Sequence, residues 1–101
     1  MLEKKDIIKT LQDNREKLKK IYHIRRMGLI GSFSRNEQTE KSDIDFVIEL
    51  DSDTVDIYET KKKLRDYLSH LFLRQVDLAS YKYLKPFIKQ KILNEAETIV
   101  E

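Results

Sequence analysis

The chain has no cysteine, no tryptophan, two glycines and one proline in 101 residues. Without cysteine there is no disulfide framework, no thiolate zinc site and no cysteine nucleophile, which suits a reducing compartment and makes the cytoplasm the expected location. So little glycine and proline leaves no composition for linkers or low-complexity tracts. One domain spanning 1–101, made of nearly continuous regular structure, is therefore expected. No run of 18 apolar residues occurs, and the N-terminal MLEKKDIIKT lacks an apolar h-region, so neither membrane spanning nor export is expected. An excess of one charge is lacking too: 20 Lys and Arg stand against 18 Asp and Glu, a net charge of +2 in a chain that is 38% charged. No polybasic arm is visible, and direct nucleic-acid binding is not expected. In a chain of this length a second, substrate-binding lobe is not expected, so an activity that needs one would borrow surface from a partner or from the substrate.

What is present reads as alternating helices and strands. Leu2, Ile7, Ile8, Leu11, Leu18 and Ile21 recur at helical spacing, which predicts an amphipathic helix over 2–20. Residues 24–30 suit a strand that stops at Gly31, with a short helix over 32–37. The segment 43–50 alternates with period two, Ile44, Phe46, Ile48 and Leu50 on one face and Asp43, Asp45, Val47 and Glu49 on the other. Asp51, Ser52 and Asp53 can cap a helix over 54–71. A strand over 73–79 follows, then a helix from Pro86 to about Ala96 with Phe87, Ile88, Ile92 and Leu93 on one face, and a last short strand over 98–100. This order predicts an α/β (α+β) domain, a small mixed β-sheet with helices packed on one side.

The chemistry is concentrated between Gly31 and Asp45. Asp43 and Asp45, two apart on a strand, project from one face with alpha carbons roughly 6.5–7 Å apart. Two-metal phosphoryl or nucleotidyl transfer needs oxygen ligands that hold two Mg²⁺ ions roughly 3.5–4 Å apart, and a third carboxylate usually completes the set. Asp77, between Val76 and Leu78, is the candidate, since a strand beside Asp43 and Asp45 would bring it to about 5 Å across the ladder. Gly31 lets the backbone turn closely around phosphate oxygens, and Ser32 adds a hydroxyl donor. Arg35 and Ser42 lie near enough in sequence to touch a triphosphate, although an Arg and a Ser in a polar loop are ordinarily solvated. For Glu49, His23, His70 and the run Lys61 to Lys63 a surface role is the simpler reading, and Tyr81 and Tyr83 are read as bordering the core.

Gly31-Ser32, ten intervening residues and Asp43-Ile44-Asp45 together resemble the Gly-Ser … Asp-x-Asp signature of the polymerase-beta-like nucleotidyltransferase superfamily, in particular its minimal, single-domain branch. With the preceding helix and the strand around Asp77, the resemblance covers nearly the whole chain. It implies that Asp43, Asp45 and Asp77 bind two Mg²⁺ ions and carry catalysis, and that Gly31 and Ser32 hold the triphosphate of ATP. One departure is visible: Asn36 stands where such proteins often have Gly, and Asn tolerates the left-handed turn. The minimal branch resembles the antitoxin half of two-gene toxin–antitoxin modules. That likeness implies a HEPN-domain ribonuclease toxin as hetero-oligomeric partner, silenced by transfer of AMP from ATP to one of its tyrosines. The alternatives are an antitoxin that blocks its toxin by binding alone, and a nucleotidyltransferase acting on a small molecule or an RNA end.

Overall fold

A computed structural model describes residues 2–101. The elements run α1 (Lys4–Asp13), α2 (Arg15–Lys20), β1 (Ile24–Ile30), α3 (Gly31–Ser34), β2 (Ile44–Leu50), α4 (Ile57–Phe72), β3 (Val76–Ser80), a 3₁₀ turn (Tyr81–Tyr83), α5 (Pro86–Glu95) and β4 (Glu97–Val100). The strands form one mixed sheet in the order β3-β2-β1-β4. β1 pairs antiparallel with β2 and β4, and β2 pairs parallel with β3. The parallel pair requires a crossover, and α4 supplies it.

The alternation in 44–50 does what it predicts. Ile44, Phe46 and Ile48 are buried together with Met27 and Leu29 of β1 and Val76 of β3. Against them pack Ile7 and Leu11 of α1, Leu18 of α2, Phe33 of α3 and Leu64 and Leu68 of α4. Each of these side chains contributes on the order of 1.5–3 kcal/mol of hydrophobic stabilisation. The opposite face of β2 is less polar than the sequence suggests. Val47 is fully buried. Tyr81 is buried on the same side, where the Arg26 guanidinium lies 3.7 Å from its ring centroid and pairs with Glu49 at 3.4 Å.

Several ends differ from the sequence expectation for local reasons. The first helix breaks at Asn14, whose side-chain amide donates to the Thr10 carbonyl at 2.7 Å and so competes with the helical ladder. The cap of α4 is Asp56, which accepts from the Glu59 N–H at 3.0 Å. Asp51 instead closes a turn, its carbonyl accepting from both the N–H (3.1 Å) and the hydroxyl (2.6 Å) of Thr54. β3 starts at Val76 because Leu73 ends α4 in the left-handed conformation, φ 54, with its side chain 87% exposed. Pro86 opens α5 as expected. No residue of α5 is buried, however, and Phe87, Ile88 and Leu93 are exposed, so that helix does not contribute a core stripe. Tyr83 is likewise exposed, whereas Tyr81 is in the interior. No helix among the described residues is long and apolar enough to cross a membrane.

Candidate active site

β1 ends at Ile30 opposite Asp45, and Asp45 lies in register with Asp77 on β3. Directly paired residues on adjacent strands point to the same face, so the two carboxylates meet side by side. The pair is repulsive. Burial first, then the charges of Asp77 and Asp43, push the Asp45 carboxyl above the usual aspartate range, with a hydrogen bond to Asp77 acting in the same direction and Arg35 opposing it.

Gly31 follows Ile30 and turns the chain into α3 with φ +75, a conformation that disfavours any Cβ. Space forbids one as well. A Cβ built there would run into Oδ2 of Asp45, so the glycine lets backbone lie directly against the carboxylate. The turn ends at Asn36, which takes the left-handed conformation, φ 57, that asparagine tolerates.

Gly31, Arg35, Asp45, Asp77, Ala79 and Glu95 line one open cavity of about 270 Å³. Asp43 stands just before β2, exposed, and reaches Asp45 through its charge. Ser32 is half-buried at the start of α3, its carbonyl accepting from the Glu37 N–H at 2.9 Å. Ser42 is committed to its own loop: its hydroxyl accepts from the Thr39 N–H at 2.8 Å, and its carbonyl is held by Arg74 at 2.8 Å. Arg35 is gripped by two carboxylates, Glu37 at Nε and Glu95 at Nη1, which together hold the guanidinium charged. The fold thus unites Gly31, Asp45, Asp77 and Arg35, places Asp43 and Ser32 at the margin, and turns Ser42 to loop structure.

Among the described residues no three His, Cys, Asp or Glu side chains form a ready-made metal cage. The donor set still fits a hard divalent cation. Asp45 and Asp77 are oxygen ligands crowded together at a cost that a cation would relieve, and Asp43, exposed just before β2, adds its charge to the same site.

Glu95 is the residue that motif reading misses. It lies 50 residues beyond Asp45 in sequence, yet its carboxylate accepts from the Gly31 N–H at 3.0 Å. One signal was available: a glutamate as the last residue of a helix opposes the helix dipole, so it is better explained by a tertiary partner than by helix preference.

Two in-register carboxylates met by a glycine turn at the end of the neighbouring strand define a site of the phosphoryl- and nucleotidyl-transfer class. The chain belongs to the nucleotidyltransferase domain family, whose model matches residues 7–99. It is 43% identical over 88 residues to MJ0128 of Methanocaldococcus jannaschii, by name a candidate protein adenylyltransferase, covering 81% of this chain and 83% of the relative. It is 30% identical over 97 residues, covering 94% of each chain, to protein adenylyltransferase MntA of Thermococcus cleftensis. A crystal structure described as a toxin-antitoxin with AMP-PNP superposes with a TM-score of 0.67 at 26% identity, over 97% of this chain and 73% of that one.

Proposed function

We propose that this protein is a Mg²⁺-dependent protein adenylyltransferase that acts as an antitoxin, moving AMP from ATP to a tyrosine of a HEPN-type toxin. The observation that carries the reading is the placement of Gly31 against Asp45 with Asp77 in register beside it, all in one cavity. Asp43, Asp45 and Asp77 are the residues that would hold the metal, and Gly31, Ser32 and Arg35 the triphosphate. Bound Mg²⁺ would neutralise phosphate charge and lower the pKa of an incoming hydroxyl.

The chain's own groups account for the rest. Asp77, exposed and lining the cavity, would accept the proton of the tyrosine hydroxyl while the hydroxyl oxygen bonds to the α-phosphorus and diphosphate leaves from the opposite side. Arg35 offsets charge on the departing diphosphate. A cavity of about 270 Å³ is small beside the roughly 300–1,000 Å³ of ordinary small-molecule sites. So small and open a cavity does not enclose an acceptor, which favours one presented on a protein surface. The relatives named as protein adenylyltransferases and the toxin-antitoxin complex with a bound ATP analogue support the same acceptor class.

Incubation with the cognate HEPN-type toxin and ATP labelled in its α-phosphate tests the reading. Label is expected on the toxin with wild-type protein and not with Asp43→Ala combined with Asp45→Ala. Neutralisation of the toxin by that double variant at wild-type potency, without label, would select blocking by binding alone.

A further inference from the structure

The Glu95 carboxylate bridges two parts of the cavity wall. It accepts from the Gly31 N–H at 3.0 Å and from Nη1 of Arg35, and its side chain is only 17% exposed. Its backbone is fastened as well, since the Ser34 hydroxyl donates to the Glu95 carbonyl at 2.8 Å. α3 is therefore tied at its first residue, at its last residue and just beyond it to one position at the end of α5. A side chain pointing freely into solvent does not hold a backbone amide and a guanidinium at once. The glycine is the residue whose place against Asp45 leaves no space for a side chain, because a Cβ there would collide with Oδ2.

We propose that Glu95 is a positioning residue for nucleotide binding. It fixes the Gly31 turn against Asp45 and orients Arg35, so that the phosphate-binding wall is set before the nucleotide arrives. The inference rests on the nucleotidyl-transfer reading. Its basis is preorganisation: the Arg35 guanidinium, half exposed and otherwise held only by neighbouring Glu37, would lose one of its two anchors without Glu95. The Glu95 carboxylate bonds Gly31 and Arg35, the groups assigned to the triphosphate, so the effect falls on binding of the nucleotide more than on the chemical step.

Calorimetric titration of the full chain with Mg²⁺ and AMP-PNP, together with steady-state transfer kinetics, tests this well below each variant's melting temperature. Glu95→Ala is expected to raise Kd and the KM for ATP roughly tenfold or more, the scale of one lost charge-assisted bond, with kcat changed less. Glu95→Gln, whose carbonyl oxygen can still accept from Gly31, is expected to lose less. Adding Arg35→Ala to Glu95→Ala is expected to cost less than the two single losses combined, because the two share one contact, while the loss of the Gly31 contact remains. A merely structural glutamate would lower the melting temperature and leave Kd unchanged. Wild-type Kd in Glu95→Gln and in whichever alanine variant folds would overturn the proposal, and so would tighter binding, which would make Glu95 a competitor for phosphate. Wild-type protein that binds no nucleotide would overturn the nucleotidyl-transfer reading and this role together.

Discussion

Asp45 and Asp77 face each other across the parallel β2–β3 ladder, and Asp45 is burdened by that neighbour. Because its folded-state pKa is raised, the folded protein holds more protons than the unfolded one between the ordinary aspartate value and the raised one. Stability without metal therefore falls as pH rises through that window, beginning near about 4. Mg²⁺ competes with the same proton, so its stabilising effect is expected to grow over the same range. Melting curves at stepped pH, with and without Mg²⁺, check both slopes. Asp45→Asn is expected to reduce the pH slope, to melt no lower than wild type at neutral pH without metal, and to lose transfer by at least the roughly 10–100-fold that loss of an outer-shell metal partner costs.

Gly31 meets Asp45 through backbone alone, with φ +75 and no space for a Cβ. Gly31→Ala combines left-handed strain of roughly 1–2 kcal/mol with a collision against the carboxylate. The expected result is a lower melting temperature and a transfer rate reduced by about 10²-fold or more, since misplacement of about 1 Å at a reacting site has that effect. Equilibrium unfolding and single-turnover labelling measure the two losses separately.

Leu73 offers the opposite case. It holds φ 54 at the end of α4 and is 87% exposed, so its side chain strains the cap and buries little. Leu73→Gly is expected to stabilise the protein by about 1 kcal/mol, read as a higher denaturant midpoint at constant slope. Leu64→Ala, nine residues earlier on the buried face of the same helix, is expected to destabilise by about 2–5 kcal/mol.

Much of this was legible in the residues. The alternation of 44–50 announced β2, and Pro86 announced the start of α5, because both signals act locally. The pairing of Asp45 with Asp77 followed from asking which later strand could bring a carboxylate alongside. What was not legible depends on contacts distant in sequence or on competition among similar local signals. Asp51, Ser52, Asp53 and Asp56 are all competent caps, and the Thr54 hydroxyl bond to Asp51 decides between them. Val47 looks like a residue on a polar face until Tyr81 is found over that side of the sheet. Arg35 and Ser42 lie in the same loop region, but only Arg35 faces the cavity, because Arg74 and Thr39 hold Ser42 in a turn of its own. Glu95 reaches Gly31 across 64 positions, and no spacing rule reaches that far.

The most direct test of the account is the intact mass of the cognate HEPN-type toxin after incubation with this protein, Mg²⁺ and ATP, followed by mapping of the modified residue. The account predicts a toxin heavier by one or more AMP groups, linked to tyrosine, and no gain with Asp43→Ala combined with Asp45→Ala. A toxin of unchanged mass that is nevertheless neutralised, or a mass gain that survives loss of both carboxylates, would contradict it.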